Sequence, residues 1–191
     1  MSNESQWLIE KRKEAENLLD VLPDEKVRYV SVPFAKPEDG VQKGKFAATI
    51  VQHDSRIEIE QTDELIIKDI KEALQDESLA KYFEQPKNRQ EAANLAHFNS
   101  GVFIYVPDNT KLEKPLFFIV SSGGAVVSRN IIVAGRNSKV KIIQNIIGTG
   151  SYNEATCLHA MDDSVVEFAC IQNLEKGNAW IKRKGVCDAR G

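Results

Sequence analysis

Ala134-Gly135-Arg136-Asn137-Ser138-Lys139-Val140-Lys141-Ile142 lies without a gap over Ala160-Met161-Asp162-Asp163-Ser164-Val165-Val166-Glu167-Phe168. Residue 134 falls on residue 160, an offset of 26. The same offset sets Val126–Ala134 over Tyr152–Ala160 and Tyr152–Ala160 over Asn178–Val186. Few identities repeat; turn residues recur over turn residues and β-prone runs over β-prone runs. A period of about 20 to 50 residues marks stacked supersecondary units, none of which buries its apolar face alone. Helical periodicity is almost absent from Gly101 onward, so each unit reads as one coil of a β-solenoid with parallel pairing between coils. An antiparallel sandwich with evenly spaced hairpins fits the same spacing less economically.

Upstream of the repeat the pattern changes. Residues 5–21 read as an amphipathic helix, with Trp7, Leu8, Ala15, Leu18, Leu19 and Val21 on its apolar positions, Ser5 as N-cap and Pro23 as terminator. A connector from Val27 to Lys43 carries Pro33, Pro37 and Gly40 and one short extended piece, Val27–Val32. Phe46–Val51, a turn at His53-Asp54-Ser55 and the alternating Arg56–Glu60 read as a hairpin, with Leu65–Ile67 as a third strand. Asp69 with Glu72 has capping-box form ahead of a helix from Ile70 to Gln75. A further helical piece from Ser78 to Glu84 and a helix over Arg89–His97 follow. The expected organisation is a small α+β domain over residues 1–98 and the start of a parallel β-helix over residues 99–191. The last residues stop inside what would be the next turn, so the sequence reads as truncated before the end of its core, with an open coil able to self-associate.

Composition narrows the function. Apolar residues at 42% are enough for a core, and a net charge of −3 with no basic stripe argues against nucleic-acid binding. The longest uninterrupted apolar runs, Val102–Val106 and Leu116–Val120, are far short of the roughly 20 residues of a membrane span. The opening MSNESQWLIEKRKE has no apolar signal region, and three irregularly spaced cysteines (Cys157, Cys170, Cys187) fit reduced thiols. A cytoplasmic protein is expected.

No catalytic, cofactor-binding or metal-ligating set emerges. Gly148-Thr149-Gly150 lacks the Lys-Ser/Thr of a phosphate loop, and neither a GxSxG elbow nor an HExxH helix is present. Cys157 and His159 share one strand face. The 26-residue stacking places Arg183 on Cys157, Gly185 on His159, Gln144 on Cys170 and Met161 on Cys187, short of the four ligands of a structural zinc site. A buried cysteine and a hydrogen-bonded histidine are the expectation, a nucleophile or half of a soft-metal site being the alternative, with His53 and His97 as solvated or capping residues. Lys182-Arg183-Lys184 reads as a solvated edge, anion or partner binding being its alternative. Glu175–Asn178 reads as an ordinary turn.

The run Asn94–Val120, NLAHFNSGVFIYVPDNTKLEKPLFFIV, resembles the lead-in segment of the SufB/SufD scaffold subunits of the SUF iron–sulfur assembly system. The resemblance rests on Phe98, Gly101, Phe103, Tyr105, Val106 and Pro107, then Lys114-Pro115. The leading helix, the pieces Leu65–Leu74 and Leu79–Phe83, and the coil Ser128–Val133 agree in order. It covers nearly all of this chain but only about the first half of a typical member, and Leu112-Glu113-Lys114-Pro115 favours the SufD side. The resemblance implies a non-catalytic scaffold that pairs with a SufB-like subunit and a SufC-like ABC-type ATPase, whose ATP-driven movement opens the pair for a nascent cluster. The iron–sulfur cluster is implied for the full complex and not for this fragment, because the family's candidate ligands lie beyond Gly191. SufB-type scaffolds carry a cysteine and polar residues along the β-helix implicated in receiving sulfur. Here Ile147-Gly148-Thr149 offers no thiol at the corresponding place, Gln172 resembles the polar position, and Leu174 replaces an aromatic residue. Two rivals are a carbohydrate-binding or carbohydrate-active β-helix and a self-assembling structural solenoid.

Overall fold

A computed structural model describes residues 4–23, 46–61 and 64–188; the extended piece expected at Val27–Val32 lies outside these residues. Helix α1 (Gln6–Leu18) is followed by β1 (Ala48–His53), β2 (Arg56–Gln61), β3 (Ile66–Asp69), a one-turn α2 (Ile70–Ala73), a 3₁₀ helix (Glu77–Tyr82) and α3 (Arg89–His97). Seven strands then run to the end: β4 (Val102–Val106), β5 (Leu116–Ser122), β6 (Ala125–Ala134), β7 (Lys139–Gly148), β8 (Ser151–Ala160), β9 (Val165–Leu174) and β10 (Ala179–Cys187). They form two facing sheets, ordered β2-β1-β5-β7-β9 and β10-β8-β6-β4-β3. From β4 onward every strand pair is parallel, so each coil lays one strand in each sheet and the chain is a parallel β-solenoid. The antiparallel pairs β1–β2 and β3–β4 close one side of these sheets.

The repeat has a visible cause at one corner. Asn109, Asn137 and Asp163 hold φ of 65°, 52° and 59°, the left-handed region that Asn and Asp tolerate best after Gly. They stack coil on coil, Asn137 Nδ2 donating to Asn109 Oδ1 at 2.9 Å. Gly101 answers a tighter demand. Its φ is +138°, and a Cβ there would stand 1.9 Å from the Arg129 carbonyl oxygen.

The expected 26-residue offset holds for β5–β7, β6–β8 and β7–β9, where Leu116 pairs with Ile142, Ala134 with Ala160 and Phe168 with Ile142. It fails in the last coil, where Tyr152 pairs with Ala179, not Asn178. The turn at Glu175–Asn178 holds one residue more than its counterpart at 149–151. Cys157 therefore pairs with Lys184 rather than Arg183, His159 with Val186 rather than Gly185, and Cys187 with Ala160 rather than Met161. Cys170 lies on Gln144 as expected.

Between the sheets, Ile50, Ile104, Leu116, Phe118, Val120, Ile132, Val140, Ile142 and Ile146 are buried. A second cluster, including Leu8, Ile70, Leu74, Leu95, Phe98, Ile131 and Val133, seats the helices on the outer face of the β4–β6–β8 sheet. Arg12 ties α1 down: its guanidinium donates to the carbonyls of Ala96 (2.8 Å) and Phe98 (3.0 Å) and stacks on the Phe98 ring. Ser5 does occupy the N-cap position, but its hydroxyl donates to the Leu74 carbonyl instead of capping α1, which ends at Leu18 and not Val21. Asp69 caps α2 through Lys71 N, yet α2 stops at Ala73, and Glu72 pairs with Lys68. The piece expected at Ser78–Glu84 is the 3₁₀ helix, while α3 has the expected bounds. Among the described residues no helix is long and apolar enough to cross a membrane.

Candidate functional site

Strand alternation turns every second residue of β4 to β10 into the space between the sheets. Around β4 and β5 that lumen is apolar; farther along it becomes polar. Glu154 sits there with no exposed surface, and its carboxylate takes four donors. Gln144 Nε2 (2.5 Å) and Tyr152 Oη (2.7 Å) donate to Oε2, while Thr156 Oγ1 (3.1 Å) and Arg183 Nη2 (2.9 Å) donate to Oε1. The chain continues inward: Asn130 Nδ2 donates to Thr156 Oγ1, and Asn130 Oδ1 accepts from Ser128 Oγ and from the β4 amide of Val102. Three strands, β7, β8 and β10, meet at this carboxylate, and Thr156 with Asn130 extends the network to β6 and β4.

Arg183 faces this lumen because the extra turn residue sets it on Thr156, an inward position. Its Nη2 also donates to Gln144 Oε1 (2.7 Å) and Cys170 Sγ (3.2 Å), and its guanidinium lies over Phe168. Burial, reinforced by the charge of Glu154 and its hydrogen bond, holds the Tyr152 hydroxyl well above the ordinary tyrosine range. Burial also pushes the Cys170 thiol up, although Arg183 opposes the shift. The arrangement holds an ion pair beside the exposed Cys170 thiol. Gln172 pairs with Ile146 and shares the lumenal parity of Cys170.

On the outer face, Cys157 and His159 do share one side of β8 but meet different partners. His159 Nε2 is 3.1 Å from Asp188 Oδ1, with its ring edge-on to Tyr82. Cys157, half-buried and with its thiol pushed up by burial, forms the floor of a cleft between β6–β8–β10 and the segment from Tyr82 to Leu95. The basic run lies on the edge strand β10, as expected, with Lys184 exposed, but its three members are engaged. Lys182 pairs with Glu91 of α3 and Lys184 with Glu84, while Arg183 goes inward. His53 and His97 are exposed, His53 Nδ1 lying 3.3 Å from Ser121 Oγ. All three thiols are free, and no group of three or more His, Cys, Asp or Glu among the described residues is arranged to hold a metal ion.

Sequence reasoning missed Glu154, Gln144 and the inward turn of Arg183. The signal was the alternation Tyr152-x-Glu154-x-Thr156, in phase with the inward Val126-x-Ser128-x-Asn130 one coil earlier. It also missed Asn94, fully buried in α3, whose amide donates to Ser128 O and Asn153 Oδ1 and accepts from Arg129 Nη1.

No family model matches the chain. Among curated proteins it is similar to an iron–sulfur cluster assembly SufBD family protein of Staphylococcus aureus strain MRSA252, 30% identical over 186 residues. A counterpart from strain USA300 is 29% identical, and one from Staphylococcus epidermidis strain RP62A is 27% identical over the same length. Each comparison takes in 87% of this chain. The chain belongs to the SufBD family. It spans 40% of the length of these SufBD relatives. The lead-in motif of this SufBD chain has a physical basis: Phe98 closes α3 beneath Arg12, Gly101 admits the Arg129 carbonyl, and Val106 enters the lumen.

Proposed function

We propose that this chain is part of a non-catalytic scaffold subunit for iron–sulfur cluster assembly, of the SufD-like type. It works in the cytoplasm with a SufB-like subunit and a SufC-like ABC-type ATPase, the nascent cluster being cargo of the assembled complex. The observation that carries the reading is the likeness to SufBD proteins named for iron–sulfur cluster assembly, over a chain folded as a parallel solenoid. Support for a non-catalytic role comes from the thiols. Cys157 and Cys170 are both pushed toward the protonated form by burial, and neither meets an imidazole to activate it. The Leu112-Glu113-Lys114-Pro115 wording and the absence of a thiol at 147–149 support the SufD-like type.

The test is affinity capture of the native protein from its own cells, with mass spectrometry of bait and partners. Co-recovery of an ABC-type ATPase and a second SufBD subunit is the expected result. Capture of neither, under conditions that retain other ATPase complexes, would overturn the assignment of partners.

A further inference from the structure

The cleft over Cys157 has a charge pattern that the solenoid does not need. Its walls carry four cations, Lys87, Arg129, Lys182 and Lys184, and two carboxylates, Glu84 and Glu91. Both carboxylates are already engaged. Glu84 holds Lys184; Glu91 holds Lys182 and also accepts from Lys87 N and Asn88 Nδ2 at the start of α3. Arg129 is left over. It donates to Asn94 Oδ1 and rests on the Phe83 ring, and among the described residues no carboxylate lies within ion-pair distance of it. A guanidinium offers five N–H donors, and among the described residues that of Arg129 has one side-chain acceptor, Asn94 Oδ1.

The strand register explains why the cleft exists. Arg129 pairs with Ala155, which pairs with Lys182, and one step along Ile131 pairs with Cys157, which pairs with Lys184. Two strand spacings separate Arg129 from Lys182, about 10 Å, and the residues between them are the small Ala155 and Cys157. The small side chains leave a hollow flanked by cations, roofed by the chain around Pro86 and by α3.

We propose that this hollow is a binding site for a small tetrahedral oxyanion of the phosphate class, held by Arg129 with Lys182 and Lys184 above the Cys157 thiol. Arginine matches such an anion through paired N–H donors, and the lysines add point charges. Burial pulls the Arg129 guanidinium down to about 10, and Arg12 lowers it too, while Cys157, Glu91 and Glu84 oppose the shift. An anion bound there favours the charged form of the guanidinium.

Inorganic phosphate is the probe, added to the intact chain at constant ionic strength with chloride as counter-titrant. The readout is the rate at which N-ethylmaleimide modifies each cysteine, resolved by peptide mass spectrometry. Phosphate is expected to slow modification of Cys157 saturably and at least fivefold, leaving exposed Cys187 unchanged. Arg129→Gln, which keeps a donor for Asn94, should weaken the protection more than tenfold. Lys141→Gln, on the other sheet and paired with Glu167, should not alter it. Absence of protection in the parent chain overturns the proposal, and so does undiminished protection in folded Arg129→Gln. If that variant does not fold, Lys182→Gln takes its place with the same two outcomes.

Discussion

Replacing Glu154 by Gln preserves shape and removes one charge, so it isolates the lumenal ion pair. The carboxylate now takes four donors with no exposed surface. A glutamine has one carbonyl oxygen, which serves two of them, and its amide becomes a donor facing donors. The Tyr152 and Thr156 hydroxyls can rotate to accept from it, but Arg183 loses its counter-charge. Breaking a buried pair costs about 3–5 kcal/mol, and a hydrogen bond to a charged group is worth about 1.5–3 kcal/mol. The Arg183 side chain retains 26% exposure, so water recovers part of the loss and the low end applies, about 3 kcal/mol. At about 2–4 °C per kcal/mol for a chain of this size, the melting temperature should fall by about 6–12 °C. Urea unfolding monitored by far-UV circular dichroism gives the free energy directly. A double-mutant cycle with Arg183→Gln should return a coupling of at least about 1.5 kcal/mol. A loss under about 1 kcal/mol for Glu154→Gln, or no coupling to Arg183, would refute the account of the lumen.

Gly101→Ala forces a Cβ against the Arg129 carbonyl at a φ of +138°; the β4–β6 contact must open, at a cost on the order of 2–4 kcal/mol, and a melting temperature within a degree of the parent would contradict this. Asn94→Ala strips partners from Ser128 O, Asn153 and Arg129 at once and is expected to lower stability by about 2–4 kcal/mol, measured by the same urea titration. Tyr152 should ionise last among the described tyrosines when absorbance at 295 nm is followed with pH. Its folded value lies above its unfolded one, so its contribution is complete below about pH 10 and is lost as pH rises toward the folded value; a tyrosinate signal for Tyr152 near pH 10 in the folded chain would contradict it.

The coil repeat was legible because turn chemistry carries it. Asn109, Asn137 and Asp163 are positions where the backbone turns left-handed, so their residue types recur even though the strands between them diverge. The lumenal network was not legible for two physical reasons. One added residue in the turn at 175–178 shifts β10 by one, and in a strand a shift of one moves every side chain to the opposite face. Arg183 was therefore placed beside Cys157 when it belongs with Glu154. Polar residues at lumenal positions also alternate as a solvated strand does, so Tyr152-x-Glu154-x-Thr156 carries no marker of burial by itself. The lead-in motif from Phe98 to Pro107 was readable because its residues serve close backbone approach and helix closure, which constrain residue type directly.

The lumenal polarity is more than the fold requires. Well-packed apolar side chains in place of a buried ion pair are often neutral or stabilising, and the same solenoid is already filled with Ile, Val, Leu and Phe around β4 and β5. What the network adds is a unique register. Strand side chains repeat every two residues, so a two-residue slip between apolar coils exchanges one set of similar contacts for another. A slip at β8 would take Glu154 from Gln144 and Arg183 and Thr156 from Asn130 together, leaving polar groups unpaired on three other strands. The same register seats Lys182 on Glu91 and Lys184 on Glu84 across the outer face, so the position of the helices depends on the lumen being correctly stacked. The outer face is thereby held at one setting, and the lumenal carboxylate supplies the constraint from inside.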